Sequence, residues 1–244
     1  EGILPMCYPS DAHEGNKFIP QWDMWYVLEV KEYLTERNKS IDKELFRKSV
    51  CGIVEFLEKH ENADGLLQNL PSWNFVEWSS ANDWVQDVNY PTNFLYAEVL
   101  RAAGELYGRS DWSEKAERVA KRTRELSFDG EVFIDNATLT DGKLVNTKNS
   151  SEAGQYYAIL FGAFDINDEK INIDGYSPRN YNDKYYGNIS LKQSLAISSN
   201  VCAAKVLNEI GTDFSYNYLK KFDLEISEND KNLSLALGST KNGI

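Results

Sequence analysis

Apolar residues recur every three to four positions through much of the first 165 residues, and this spacing predicts helices. Residues 22–34, WDMWYVLEVKEYL, form the first such pattern. Ser40 is the expected N-cap of a second helix running to about His60, with Phe46, Val50, Ile53, Val54 and Leu57 on one face. Thr92 is expected to open a third, whose stripe of Leu95, Val99, Ala102, Ala103 and Leu106 stops at Gly108. A fourth aligns Trp112, Ala116, Val119, Thr123 and Leu126. A fifth, capped by Ser151, carries Tyr156, Tyr157, Leu160 and Phe164. Between the last two, FDGEVFIDNATLTDGKLVN reads as hairpin-like, with a turn at Asp141-Gly142. Helices with one apolar face must pack in layers.

The loops PMCYPSDAHEGNKFIPQW and NLPSWNFVEWSSANDWVQDVNYP are long for connectors. Their Trp and Tyr rings lie beside carboxylates, a mixture that suits sugars: rings stack on pyranose C–H faces and carboxylates bind hydroxyls. The same residues also suit a plug, with Trp73 and Phe75 closing the end of a helical core.

Composition divides the chain. All six tryptophans lie within the first 112 residues and five of the six prolines before residue 92, which suggests two pieces of different origin. A net charge of −12 with no Lys/Arg cluster argues against a nucleic-acid or anionic-membrane partner. No apolar run is long enough to span a bilayer. The opening EGILPMCYPS has no initiating Met and reads as a processed or excised chain. Cys7, Cys51 and Cys202 are widely spaced and expected as unpaired thiols; with only His13 and His60 beside them, a zinc site is not expected. DINDEKINIDG at 165–175 hints at a calcium loop but lacks the sixth-position Gly and the closing Glu, so it reads as an acidic, solvated connector.

Two resemblances then emerge. IPQWDMWYVLEVKEYL, NADGLLQNLPSWNFVEWS, NYPTNFLYAEVLRAAGELYG and SSEAGQYYAILFGAF resemble, in that order, the helical catalytic domain of alpha-L-rhamnosidase-like six-hairpin glycosidases over about residues 1–165. The resemblance implies an (α/α)6 toroid and inverting hydrolysis by a carboxylic acid and a carboxylate. SWNFVEW is similar to the family's substrate-side loop, where an Asp commonly precedes the final Trp and Glu77 stands here. Trp73, Glu77 and Trp78 are thereby implied sugar contacts, with Glu77 a weak catalytic candidate. The implied acid and base motifs would fall before residue 1 and after residue 165, and neither is present. Asp11 and Glu14 are the nearest carboxylates to the first and match no motif. About five helices stand where a closed toroid has twelve.

YSPRNYNDKYYGNISLKQSLAISSNVCAAKVLNEIG and LSLALGSTKNGI resemble the transpeptidase domain of bifunctional penicillin-binding proteins over about 172–244. Tyr176, Pro178, Asn180, Tyr181, Gly187, Leu191, Leu195, Ser198 and Asn200 fall where that family's pattern places them. The resemblance makes Ser198-x-Asn200 similar to its second active-site motif, with Ser198 passing protons and Asn200 holding the substrate amide. On residues alone the same triplet is a helix end followed by an N-cap. The family's S-x-x-K occurs only as SIDK at 40–43, in the other piece, and STKNG at 239–243 is not K-[ST]-G.

The expected fold is mainly α: an incomplete toroid of helical hairpins over 1–165, a junction at 166–171, and a smaller helical segment from a transpeptidase-like α/β domain over 172–244. Three functions follow. The first is a carbohydrate-active, glycosidase-related protein that binds a small saccharide, such as a deoxyhexose, with its catalytic machinery incomplete. The second is a transpeptidase fragment acting on peptidoglycan stem peptides. The third is a non-catalytic helical module forming a homo-oligomer through exposed helix faces. No cofactor or metal is expected. N-x-S/T sequons at Asn38, Asn136, Asn149, Asn188 and Asn232 discriminate little, and localisation stays open.

Overall fold

Pro20 starts α1 (Pro20–Glu32) at a position where its missing N–H costs nothing, and a single π turn, Tyr33–Arg37, follows. The computed structural model describes residues 2–6 and 17–240, so Cys7, Asp11, His13 and Glu14 lie outside the described residues. It is mainly helical with small sheets, and it divides into two units, Glu1–Ala163 and Phe164–Ile244.

In the first unit, α2 (Glu44–Glu58) begins later than the spacing suggests. Ser40 is not its cap. The Ser40 hydroxyl donates to Asn38 Oδ1 at 2.7 Å, and Asp42 Oδ1 takes the Glu44 amide at 2.9 Å. A carboxylate facing a helix N-terminus gains from the dipole as well as from the hydrogen bond. Thr92 likewise lies inside α3 (Tyr90–Tyr107); the cap is Asn89, whose Oδ1 accepts the Thr92 amide at 2.9 Å.

α3 buries 15 of its 18 residues, so it forms the core around which α1, α2, α4 (Ser110–Ser127) and α5 (Glu152–Leu160) pack. Its Asn93 ties the preceding loop down: Oδ1 accepts the Leu67 amide at 2.7 Å while Nδ2 donates to the Leu67 and Asn89 carbonyls. Gly104 permits the close approach of α4, since a Cβ there would lie 2.5 Å from Ser113 Oγ. The turn between the two helices closes at Gly108, as the spacing predicts.

β1 (Val88–Asn89), β2 (Asn136–Thr140) and β3 (Lys143–Asn146) form an antiparallel sheet in that order. Asp141 (φ +49°) and Gly142 (φ +75°) make the expected turn, the left-handed pair that a two-residue hairpin requires.

Ser151 caps α5 as expected, accepting the Gly154 amide at 3.0 Å. The buried face differs from the expected stripe. Ala153, Gly154 and Ala158 point inward, whereas Tyr156 is 63% exposed and Leu160 is exposed too. The reason is Asp135, fully buried, which accepts from the Ser151 amide at 3.1 Å and the Ser151 hydroxyl at 2.5 Å. Its Oδ1 would stand 2.2 Å from a Cβ at Gly154, so only glycine fits. Gly154→Ala ordinarily favours a helix by up to about 1 kcal/mol. Here it is expected to destabilise by about 2–3 kcal/mol through overpacking, read as a lowered urea midpoint. An unchanged or raised midpoint would show that the Asp135 contact is slack.

In the second unit, β4 (Asp165–Asp168) pairs antiparallel with β5 (Gly187–Ser190), from Asp165 opposite Ser190 to Asp168 opposite Gly187. α6 (Leu191–Ala196), α7 (Asn200–Ile210) and α8 (Thr212–Leu219) follow. Leu207, Tyr216, Ile226 and Leu235 form a core of their own. The acidic stretch from 165 is therefore not a solvated connector: it begins as a strand, and Asp168 at its end is fully buried. No helix among the described residues is long and apolar enough to cross a membrane.

Candidate functional site

Ser198-Ser199-Asn200 forms the tight corner between α6 and α7. α6 ends at Ala196, Ser198 adopts φ +53°, and Ser199 returns to extended backbone as the N-cap of α7. The left-handed conformation is uncommon for serine and turns the chain within one residue. Ser198 is exposed, and its hydroxyl has no hydrogen-bond partner among the described residues. Asn200 is half-buried and donates from Nδ2 to the Arg179 carbonyl at 2.7 Å.

Ser199, the middle residue, anchors the corner. Its hydroxyl accepts the Cys202 amide at 3.0 Å and donates to Asp168 Oδ1 at 2.7 Å. The same Asp168 oxygen accepts from Asn180 Nδ2 at 2.7 Å, and Oδ2 accepts the Tyr186 amide at 3.0 Å. Asn180 completes the ring: Oδ1 accepts the Val201 amide at 3.1 Å, and Nδ2 also reaches the Lys184 carbonyl at 3.0 Å. A buried carboxylate with three good donors is well compensated, and charge-assisted bonds of this kind are strong. Asp168, Asn180 and Ser199 thus fix a loop, a strand end and a helix start together, and hold Ser198 and Asn200 on a rigid corner. Cys202 lies in the same cluster; burial pushes its thiol above the ordinary value and Asp168 adds to the shift, so it is an inert core thiol.

Sequence reasoning singled out Ser198 and Asn200 but missed Asp168 and gave Ser199 no role. The available signal was an acid closing a short strand pattern, Asp-Ile-Asn-Asp, just before an asparagine- and tyrosine-rich loop.

The S-x-x-K pair does not assemble a nucleophile. Ser40 is bonded to Asn38 ahead of α2, and Lys43 Nζ donates to the Leu106 carbonyl at 2.5 Å. Both residues belong to the first unit.

Trp73, Glu77 and Trp78 lie together on the first unit's long loop. Rings of Trp73, Phe75 and Trp78 pack edge to face at 4.8–6.1 Å, with Trp22 against Phe75 at 6.3 Å. Trp78 is 78% exposed and Trp73 45% exposed, so neither plugs a core; Glu77 is exposed beside them. Among the described residues, the two buried carboxyls of the first unit have other positions. Asp135 holds the start of α5. Asp23 accepts the Leu4 amide at 3.1 Å through Oδ1, its Oδ2 has no partner among the described residues, and burial pushes its pKa up to about 7. Among the described residues, no group of three or more metal-ligating side chains is present.

Comparison with known proteins separates the two resemblances. Residues 159–240 match the family model of the penicillin-binding protein transpeptidase domain. Penicillin-binding protein 1A of Neisseria cinerea is 28% identical over 142 residues, covering 55% of this chain and 16% of its own length. Penicillin-binding protein 1F of Bacillus subtilis is 34% identical over 79 residues, 32% of this chain and 11% of its own. Penicillin-binding protein 1A of Clostridium botulinum is 39% identical over 70 residues, 28% and 8% respectively. The chain spans about a sixth or less of the length of these relatives. The transpeptidase resemblance of the C-terminal part is thus supported, whereas the six-hairpin glycosidase resemblance finds no support. No solved structure matches.

Proposed function

We propose that the second unit is the substrate-side portion of a peptidoglycan transpeptidase, presenting Ser198 and Asn200 to a stem peptide. The observation that carries this reading is the exposed, unpartnered Ser198 hydroxyl on a corner that a buried carboxylate holds rigid, within the segment that matches the family. Preorganised hydroxyl and amide groups are what such a site needs on its substrate side. Ser198 serves binding and proton passage. It is not an acylated nucleophile in this chain, because the only S-x-x-K lies in the first unit with its lysine engaged by a carbonyl. Incubation with a fluorescent penicillin is expected to leave the protein unlabelled. Calorimetry with a stem-peptide analogue is expected to show weak binding, reduced about fivefold by Ser198→Ala, the loss of roughly one hydrogen bond. Covalent labelling at Ser198, or equal affinity in the variant, would sink this reading.

For the first unit we propose saccharide binding at the ring cluster of Trp73 and Trp78, with Glu77 as a hydroxyl acceptor, on helical hairpins of an incomplete toroid. The exposed rings and adjacent carboxylate favour it over a purely structural role. A deoxyhexose such as rhamnose is expected to shift tryptophan fluorescence, and Trp78→Ala to remove most of that response. A response that survives this substitution would place the sugar elsewhere.

A further inference from the structure

The second unit contains a cavity of about 320 Å³ whose walls include Lys170, Ile171, Asn172, Pro178, Arg179 and Tyr185. Its charge runs against that of the molecule: in a chain of net charge −12, the lining carries two cations and no carboxylate. Lys170 makes no ion pair among the described residues, and its ammonium lies 5.5 Å from the centre of the Tyr185 ring. Arg179 has Asp183 at 4.0 Å, but both side chains are largely exposed, and such a pair contributes little. The backbone beneath the guanidinium is fixed on both sides. The Arg179 carbonyl accepts from Asn200, Pro178 is buried, and Asn180 is bound into the Asp168 network. A cationic group on an immobile backbone loses less freedom when it binds a ligand.

We propose that this cavity binds a small carboxylate, such as an N-acylated amino acid or the free C-terminus of a short peptide. The planar Arg179 fork suits a carboxylate, Lys170 adds a second positive charge, and Ile171, Pro178 and Tyr185 supply apolar wall for the attached body. Asp183 already shows a carboxylate approaching Arg179, which a ligand displaces. A phosphate is the poorer fit, because none of the lining residues opens an α-helix whose amides would receive it. The inference stands apart from the transpeptidase reading, since it uses neither Ser198 nor acyl transfer.

Calorimetry on the full chain at low salt, with N-acetyl-L-alanine, its amide and inorganic phosphate, tests it. The acid is expected to bind with a dissociation constant on the order of millimolar. Arg179→Gln and Lys170→Gln should each weaken it about fivefold or more, and the amide should not bind. Ser198→Ala should leave it unchanged, which separates this site from the stem-peptide reading. Lys170 and Arg179 are exposed, so the variants should melt as the wild type does, which thermal denaturation checks. Equal binding of acid and amide would overturn the proposal. So would unchanged affinity in both cation variants, tighter binding of phosphate than of the acid, or no heat with the acid at all.

Discussion

Asp168→Ala is expected to unfold the second unit's corner and to lower its stability by about 3–5 kcal/mol. The substitution removes the acceptor that the Asn180 amide, the Ser199 hydroxyl and the Tyr186 N–H share, and each lost hydrogen bond to a charged group costs about 1.5–3 kcal/mol, offset in part because Asn180 and Tyr186 keep the Lys184 and Asp168 carbonyls. Amide exchange at Val201 and Cys202, both held by groups of this network, should accelerate most, and limited proteolysis should cut near 198. Asp168→Asn keeps one acceptor but presents a donor to another, so its loss should be smaller and of the same pattern. Wild-type exchange at Val201 in the alanine variant would show that the network is incidental.

The second large effect concerns pH. Asp23 is 3% exposed, with one oxygen unpartnered among the described residues and its pKa raised to about 7 from 3.8, mainly by burial and against the lowering effect of the Leu4 amide. The folded state keeps this proton over an interval in which the unfolded chain has lost it. Its contribution to stability is therefore fully present below about pH 4 and disappears as pH rises through about 7. At about 1.36 kcal/mol per pH unit, the change is on the order of 4 kcal/mol. Asp23→Asn removes the titration. Urea midpoints of wild type and variant should nearly agree at pH 4 and diverge by pH 8, with the variant more stable. A difference that is the same at both pH values would mean that Asp23 is not the titrating group.

These two aspartates show where the sequence was legible and where it was not. Signals confined to a few neighbouring residues were read correctly: Ser151 before α5, Gly108 after α3, and Asp141-Gly142 in the hairpin are decided by local backbone chemistry. Ser40 and Thr92 failed within the same range, because Asp42 and Asn89 offered better acceptors one or two residues from the true helix starts. The α5 stripe failed for a longer-range reason. Large apolar residues were assumed to face inward, but a buried Asp135 sixteen residues before Ser151 selects the glycine–alanine face. Asp168 was the least visible. An acid in an acidic run reads as solvated, and its donors come from Asn180 and Ser199, 12 and 31 residues away. The sequence therefore pointed to the corner that displays Ser198 and Asn200, but not to the residues that make it rigid.

The most direct test is to titrate the full chain with a stem-peptide analogue and follow its amide resonances. Shifts are expected to concentrate at Ser198, Ser199 and Asn200, with Val201 and Cys202 following through the network, and to be lost in Asp168→Ala. Shifts elsewhere with none at 198–200 would contradict this, and the corner would then be a helix junction and not a binding site.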